Sequence, residues 1–212
     1  MTRPPPDRPF PRDLLAGDTL AAARALLGSR LVREPDDAVP VRRSGRIVEV
    51  EAYIGPDDRA SHARMGLTPR NQPMFGPPGI AYVYLVYGMH HCLNVVTEAV
   101  GNPAAVLIRA VEPIEGVDAM RAARGREHLA DARLAAGPGT ACAAFGIDRS
   151  FTGIDLCDVA SPLHLALAPA GETEPEILSG PRIGVAYAGE PWTSVPWRFA
   201  VAGSRALSRR VP

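Results

Sequence analysis

A chain of 212 residues and 22.5 kDa, 46% hydrophobic and 22% charged, has the composition of a globular protein and is long enough to bury a sizeable core. Its formal net charge is zero and all 23 basic residues are arginine, so no overall cationic field marks a polyanionic partner, and no lysine amine exists to form a Schiff base. Three widely spaced cysteines (Cys92, Cys142, Cys157) fit neither a disulfide framework nor a zinc site, the run from Ile80 to Met89 is too short to span a bilayer, and the start lacks a signal-peptide layout, so a cytoplasmic protein is expected.

In chain order, residues 1–12, "MTRPPPDRPFPR", read as a proline-rich, weakly ordered lead-in, and 13–212 as one domain. Asp13 to Leu27 carries apolar residues at helical spacing, with Asp18 as N-cap and Gly28 as stop. From Leu31 to Thr97 short alternating runs between Pro and Gly clusters predict antiparallel strands and hairpins. "AAVLIRAVEP" predicts another strand, 115–134 a helix, and "GPGTACAAFGI" a glycine turn feeding a short helix. "PRIGVAYAG" and "PWRFAVAG" read as two closing strands. The sum is an α+β fold, one mixed domain with a largely antiparallel sheet.

Four features carry chemistry. In "GRIVEVEAYIG" the two-residue strand period puts Val48, Val50, Ala52 and Ile54 on one face, and Ile47, Glu49, Glu51 and Tyr53 on the other. Two carboxylates and a phenol on one face are either a solvated outer surface or a site. The long loop that follows, "PDDRASHARMGLTPRNQPMFGPPG", gathers Asp57, Asp58, His62, Arg64, Arg70 and Asn71, and loops of that length inside compact domains are usually functional or disordered. In "IAYVYLVYGMHHCLNVVT" Tyr84 is placed to line a cavity, and Tyr87 sits at a hairpin tip, where an aromatic can wedge into a nucleic-acid stack. Arg109, among the apolar residues of "AAVLIRAVEP", needs a carboxylate or phosphate partner, for which Glu51 is a candidate.

Taken in order, "GRIVEVEAYIGPDDRASHA", "TPRNQPMFGPPGIAYVYLVYGMHHCLNVV", "AVLIRAVEP" and "GPGTACAAFGI" resemble the alkyladenine type of 3-methyladenine DNA glycosylase. The resemblance runs from the first helix to "PWRF" and implies a curved antiparallel sheet with flanking helices and a protruding β-hairpin. The activity implied is that of a monofunctional, monomeric base-excision repair enzyme without cofactor or metal. It would flip an alkylated or deaminated purine (3-methyladenine, 7-methylguanine, hypoxanthine, ethenoadenine) from double-stranded DNA and hydrolyse its N-glycosidic bond, leaving an abasic site. Carried over by residue, Glu51 is the general base that activates water, with Arg109 and His62 holding that water or its surroundings. Tyr53, His62 and Tyr84 sandwich the flipped base, Asn94 crowds against a 2-amino group, and Tyr87 is the intercalating wedge. Met74, Met89, His90, Arg64 and Arg70 are further candidate DNA contacts, together with Arg198 and Arg205. His91 stands where members of the family more often carry an aromatic.

The chemistry fits the resemblance. Glutamate is ionised at neutral pH, as a base must be, and alkylation at N3 or N7 makes the purine cationic and a good leaving group, so one carboxylate suffices. Two alternatives stand beside it: an O-glycoside hydrolase using Glu49 and Glu51, and a non-catalytic DNA-binding module.

Overall fold

Eight strands, five short α-helices and four 3₁₀ turns account for the regular structure of residues 7–211, which the computed structural model describes. The strands are β1 (Arg30–Arg33), β2 (Arg43–Ile54), β3 (Ala81–Val86), β4 (His90–Val96), β5 (Ala104–Glu115), β6 (Leu163–Ala166), β7 (Ile177–Gly180) and β8 (Arg198–Val201). Every pairing is antiparallel; the main order is β3-β4-β5-β2-β1-β6, β8 also pairs with β2, β7 pairs with β8, and the sheet does not close. The helices are α1 (Asp13–Ala16), α2 (Thr19–Leu26), α3 (Val117–Arg124), α4 (Asp131–Leu134) and α5 (Pro138–Phe145), and among the described residues no helix is long and apolar enough to cross a membrane. The expected α+β fold with a largely antiparallel sheet is the observed one.

Four expectations change in detail. The helix expected over 115–134 is two, α3 and α4, with residues 125–130 between them. The single helix over 13–27 is two helices, broken at Gly17, with the Asp18 carboxylate accepting from the Ala21 N–H at 2.9 Å as N-cap of α2. The lead-in is held from Asp7 onward: Pro9 bridges Ala166, and the Phe10 side chain is buried in the main core. Residues 1–6 of that segment lie outside the described part. "PRIGVAYAG" is not a strand but an irregular segment with Gly184 at φ +80° and a 3₁₀ turn at Ala186–Ala188. Its Ile183 N–H is committed to the buried carboxylate of Glu51, so it is not available to a neighbouring strand, and its Arg182 side chain binds Asp58.

The long strands β2 and β5 run side by side through the centre and place the site. Their ladder slips twice near the middle, Ile47 facing Val111, Glu49 facing Ala110 and Val50 facing Ile108, which leaves Val48 and Arg109 as the extra residues of two facing irregularities. Such bulges bend a strand and redirect a side chain. They explain why Ile47, expected on the glutamate face, packs in the main core with Val50 and Ala52, and why Arg109 reaches across to two glutamates of β2.

Candidate active site

Glu49 and Glu51 are both fully buried, so the solvated-face reading of the opening strand does not hold. What covers them is the 181–187 segment on one side and the chain after β8 on the other. Buried carboxylates demand partners, and the two are partnered differently.

Glu49 accepts from Arg109 Nε (3.1 Å), Arg198 (3.1 Å), the Ser208 N–H (2.6 Å) and the Ser208 hydroxyl (2.7 Å). Three of these bonds fall on Oε1 and one on Oε2, so both oxygens of Glu49 are tied to the protein's own donors. Glu51 accepts from the Ile183 N–H at 2.7 Å on Oε1, and from the Tyr53 hydroxyl (2.8 Å) and Arg109 (3.1 Å) on Oε2. One direction on Oε1 stays open. Burial works against the charge of Arg109, but Glu51 and Glu49 outweigh it and hold the guanidinium ionised.

All three donors to Glu51, Tyr53, Arg109 and Ile183, line a cavity of about 640 Å³, and Glu51 lies just behind that wall. The size is that of a small-ligand pocket. Tyr82 and Tyr84 of β3, Asn94 of β4, Leu107 of β5, and His62 and Met74 of the long loop complete its inner lining. His62 and Tyr84 meet edge to face, with centroids 4.5 Å apart, and His62 Nδ1 is hydrogen-bonded to the Tyr82 hydroxyl at 3.0 Å. Asn94 donates to the Tyr82 carbonyl at 3.0 Å, which fixes its side chain in the wall. Asn71 instead braces the loop itself, donating to the carbonyls of His62 (2.9 Å) and Gly66 (2.7 Å).

The aromatic part of the wall is uncharged at neutral pH. Burial raises the phenol of Tyr82 to about 12, and burial followed by the Glu51 charge pushes Tyr53 well up, so both remain hydroxyl donors. Burial first, and the charges of Arg70 and Arg64 second, lower His62 to about 4 from 6.5. Between those two values the unfolded chain takes up a proton at this residue and the folded chain does not. The stability linked to neutral His62 is therefore complete above about pH 6.5 and declines as pH falls toward 4. Urea midpoints compared at about pH 7 and pH 5 are expected to drop less for His62→Gln than for the parent protein; equal drops would contradict the assignment.

The mouth is made by the β3–β4 hairpin. Met89 N–H donates to the Val86 carbonyl at 3.1 Å, and Tyr87 and Gly88 both have positive φ, +52° and +70°. That is the backbone pattern of a type I′ turn, which favours Asn-Gly and disfavours tyrosine. The strained Tyr87 is 87% exposed, so no burial compensates it. Tyr87→Asn is expected to raise stability by about 0.5–1 kcal/mol in urea unfolding. Gly139 at the start of α5 lets the hairpin pack closely, since a Cβ there would lie 3.0 Å from that of His90.

The residues singled out in the sequence divide clearly. Glu51, Tyr53, His62, Tyr84, Asn94, Arg109, Met74, Arg70 and Tyr87 converge on this cavity or its wall. His62 has no hydrogen bond to Glu51 or Arg109; its contacts are on the Tyr82–Tyr84 side. Met74, expected as a DNA contact, is buried and lines the cavity instead. Arg198, also expected there, is buried, spent on Glu49 and on the carbonyls of Pro181, Arg209 and Arg210. Met89, His90, Arg64, Arg70 and Arg205 are exposed. Asp7, Glu34 and His164 form a cluster of metal-ligand type away from the cavity lining, but Arg42 already binds both carboxylates.

Sequence reasoning missed Tyr82, Ile183, Tyr187 and the Asp58–Arg182 pair. Tyr187 stands 62% exposed at the cavity rim, its hydroxyl donating to the Ala60 carbonyl at 2.9 Å. Arg182 was legible by the argument used for Arg109, a guanidinium in an apolar run; the strand reading of "PRIGVAYAG" hid it.

With this geometry in place, comparison with known proteins is direct. Residues 13–205 match the family model described as Methylpurine-DNA glycosylase. A Methanocella arvoryzae protein named as a candidate 3-methyladenine DNA glycosylase is 49% identical over 206 residues, covering 96% of this chain and 97% of its own. Proteins given the same name from Anaeromyxobacter dehalogenans and Bacillus cereus are 50% and 44% identical, over 96% and 94% of this chain and 88% and 98% of theirs.

Proposed function

The chain belongs to the methylpurine-DNA glycosylase family, and from that premise we propose that it removes alkylated purines, 3-methyladenine foremost, from double-stranded DNA by water-activated hydrolysis, acting as a monomer without lyase chemistry. The observation that carries this reading is the Glu51 carboxylate, buried behind a cavity of small-ligand size whose lining supplies all three of its hydrogen-bond donors.

In the proposed mechanism the target nucleotide rotates out of the stack and its base enters the cavity between Tyr53, His62 and Tyr84. Tyr87 fills the gap left in the duplex. A methylated purine is cationic, and neutral aromatic faces attract it more than an unmodified base; a neutral His62 adds no repelling charge. Water occupies the open acceptor direction on Glu51 Oε1, gives up a proton to the carboxylate, and attacks C1′ as the purine departs with its bonding electrons. Arg109 holds Glu51 ionised and oriented, and the carboxylate also offsets the positive charge growing on the sugar. With no lysine in the chain, the product is an abasic site. Asn94, fixed in the wall, sets how much room remains beside the purine.

Against the glycoside-hydrolase alternative stands Glu49, tied through both oxygens to four donors of the protein itself and outside the cavity lining. Against a purely binding module stands the cost of burying Glu51 beside the pocket with one acceptor direction unused. Incubation with duplex DNA methylated by dimethyl sulfate tests the reading. Release of free 3-methyladenine, identified by chromatography, supports it, and release of no methylated purine overturns it.

A further inference from the structure

Asp58 and Arg182 form an ion pair in which neither side chain has any exposure, and neither lines the cavity. The guanidinium donates to both carboxylate oxygens, at 2.6 and 2.8 Å, and to the Ala52 carbonyl at 2.9 Å. Asp58 also accepts from the N–H groups of Ile54 (3.2 Å) and Ala60 (3.0 Å). The pair thus ties the end of β2 and the start of the long loop to the irregular 181–187 segment. Its flat face lies 4.8 Å from the Tyr53 ring centroid and 5.0 Å from that of Trp197.

We propose that Asp58 and Arg182 are positioning residues for the reaction: together they fix the two neutral donors, Tyr53 Oη and Ile183 N–H, that aim the Glu51 carboxylate. Ile183 is the next residue after Arg182 and donates to Oε1 at 2.7 Å; Tyr53 lies under the guanidinium and donates to Oε2 at 2.8 Å. These donors sit on segments 130 residues apart in the chain, and the bond from Arg182 to the Ala52 carbonyl, beside Tyr53, spans the same interval. Stability alone is a poor account of the pair. Arg182 Nε is buried with no partner among the described residues, and a buried ion pair is commonly no better a stabiliser than apolar side chains of the same volume. A rigid, bidentate strut is what orientation requires, because a catalytic group displaced by about 1 Å can lose about 10²-fold in rate.

This inference rests on the reading of Glu51 as the water-activating base, and the experiment separates the two. Single-turnover base release and affinity for a lesion-containing duplex are measured for the parent protein, Arg182→Met and Arg182→Lys at a temperature where all are folded by Trp192 and Trp197 fluorescence. Expected are a rate loss of about 10²-fold for Arg182→Met, partial recovery in Arg182→Lys, and affinities within about threefold of the parent. If Arg182→Met fails to fold, Arg182→Lys decides alone: it keeps a charge for Asp58 but lacks the fork and the flat face, and a rate loss of about 10-fold at unchanged affinity is expected. Rates within about threefold of the parent, or rate and affinity falling together, overturn the positioning role while leaving Glu51 untouched. A parent protein that releases no base overturns both.

Discussion

Glu51→Gln is expected to bind lesion-containing duplex with affinity within about threefold of the parent protein while base release falls by about 10²–10⁴-fold, the usual contribution of a general base. Glutamine preserves the volume of the side chain and one acceptor oxygen. The Tyr53 hydroxyl, 2.8 Å from Oε2, can turn from donor to acceptor to meet the new amide, whereas Arg109 cannot. The wall of the cavity therefore stays in place, and what disappears is the ability to take a proton from water. Quench-flow or manual single-turnover assays with an electrophoretic binding measurement separate the two quantities. Loss of affinity in step with rate would mean that Glu51 holds the pocket together rather than acting in it.

The second large effect lies two residues away and is of a different kind. Glu49→Ala is expected to cost about 3–5 kcal/mol of stability, because it leaves the buried guanidinia of Arg109 and Arg198 without their shared carboxylate and the Ser208 N–H without an acceptor. For a chain of this size that corresponds to a fall of about 6–20 °C in Tm, read by thermal unfolding. Catalysis suffers as well, since Arg109 is held between Glu49 and Glu51. A Glu49→Ala protein as stable as the parent would show that the network is not the anchor its geometry implies. The two glutamates of one strand are thus separable: one change removes chemistry, the other removes the frame.

How much of this could be read from the residues alone depends on the distance over which each constraint acts. Two-residue alternation placed Glu49, Glu51 and Tyr53 together, since that period belongs to the strand itself. Arg109 was found because a guanidinium in an apolar strand needs a carboxylate. Periodicity assigns a side chain to a face but does not say what covers it. The cover over Glu51 is Ile183, 132 residues downstream, and that over Glu49 is Ser208, 159 residues downstream, so solvent seemed the simpler neighbour for both. The bulges at Val48 and Arg109 broke the alternation where Ile47 was misplaced. Arg198 and Met74 were expected among the DNA contacts, and both are buried. The 181–187 segment has strand-like composition, and only its long-range carboxylate partners reveal why it cannot pair as one.

The neutral net charge also becomes intelligible. Arg33, Arg43, Arg109, Arg182 and Arg198 are buried, so a share of the positive charge serves internal carboxylates and carbonyls rather than an outer field. Under the proposed function, binding to a polyanion falls to exposed arginines near the mouth, such as Arg64, 5.5 Å from the Tyr187 ring centroid, and Arg70, 5.9 Å from that of Tyr84.

The central claim is hydrolytic removal of a damaged purine by a water that Glu51 activates. It is tested most directly by incubating the protein with an end-labelled duplex carrying one hypoxanthine, ethenoadenine or alkylated purine, and resolving the strands with and without subsequent alkali. The account predicts strand breaks at the lesion only after alkali treatment, present for the parent protein and absent for Glu51→Gln. Breaks before alkali, or none at any lesion, would contradict it.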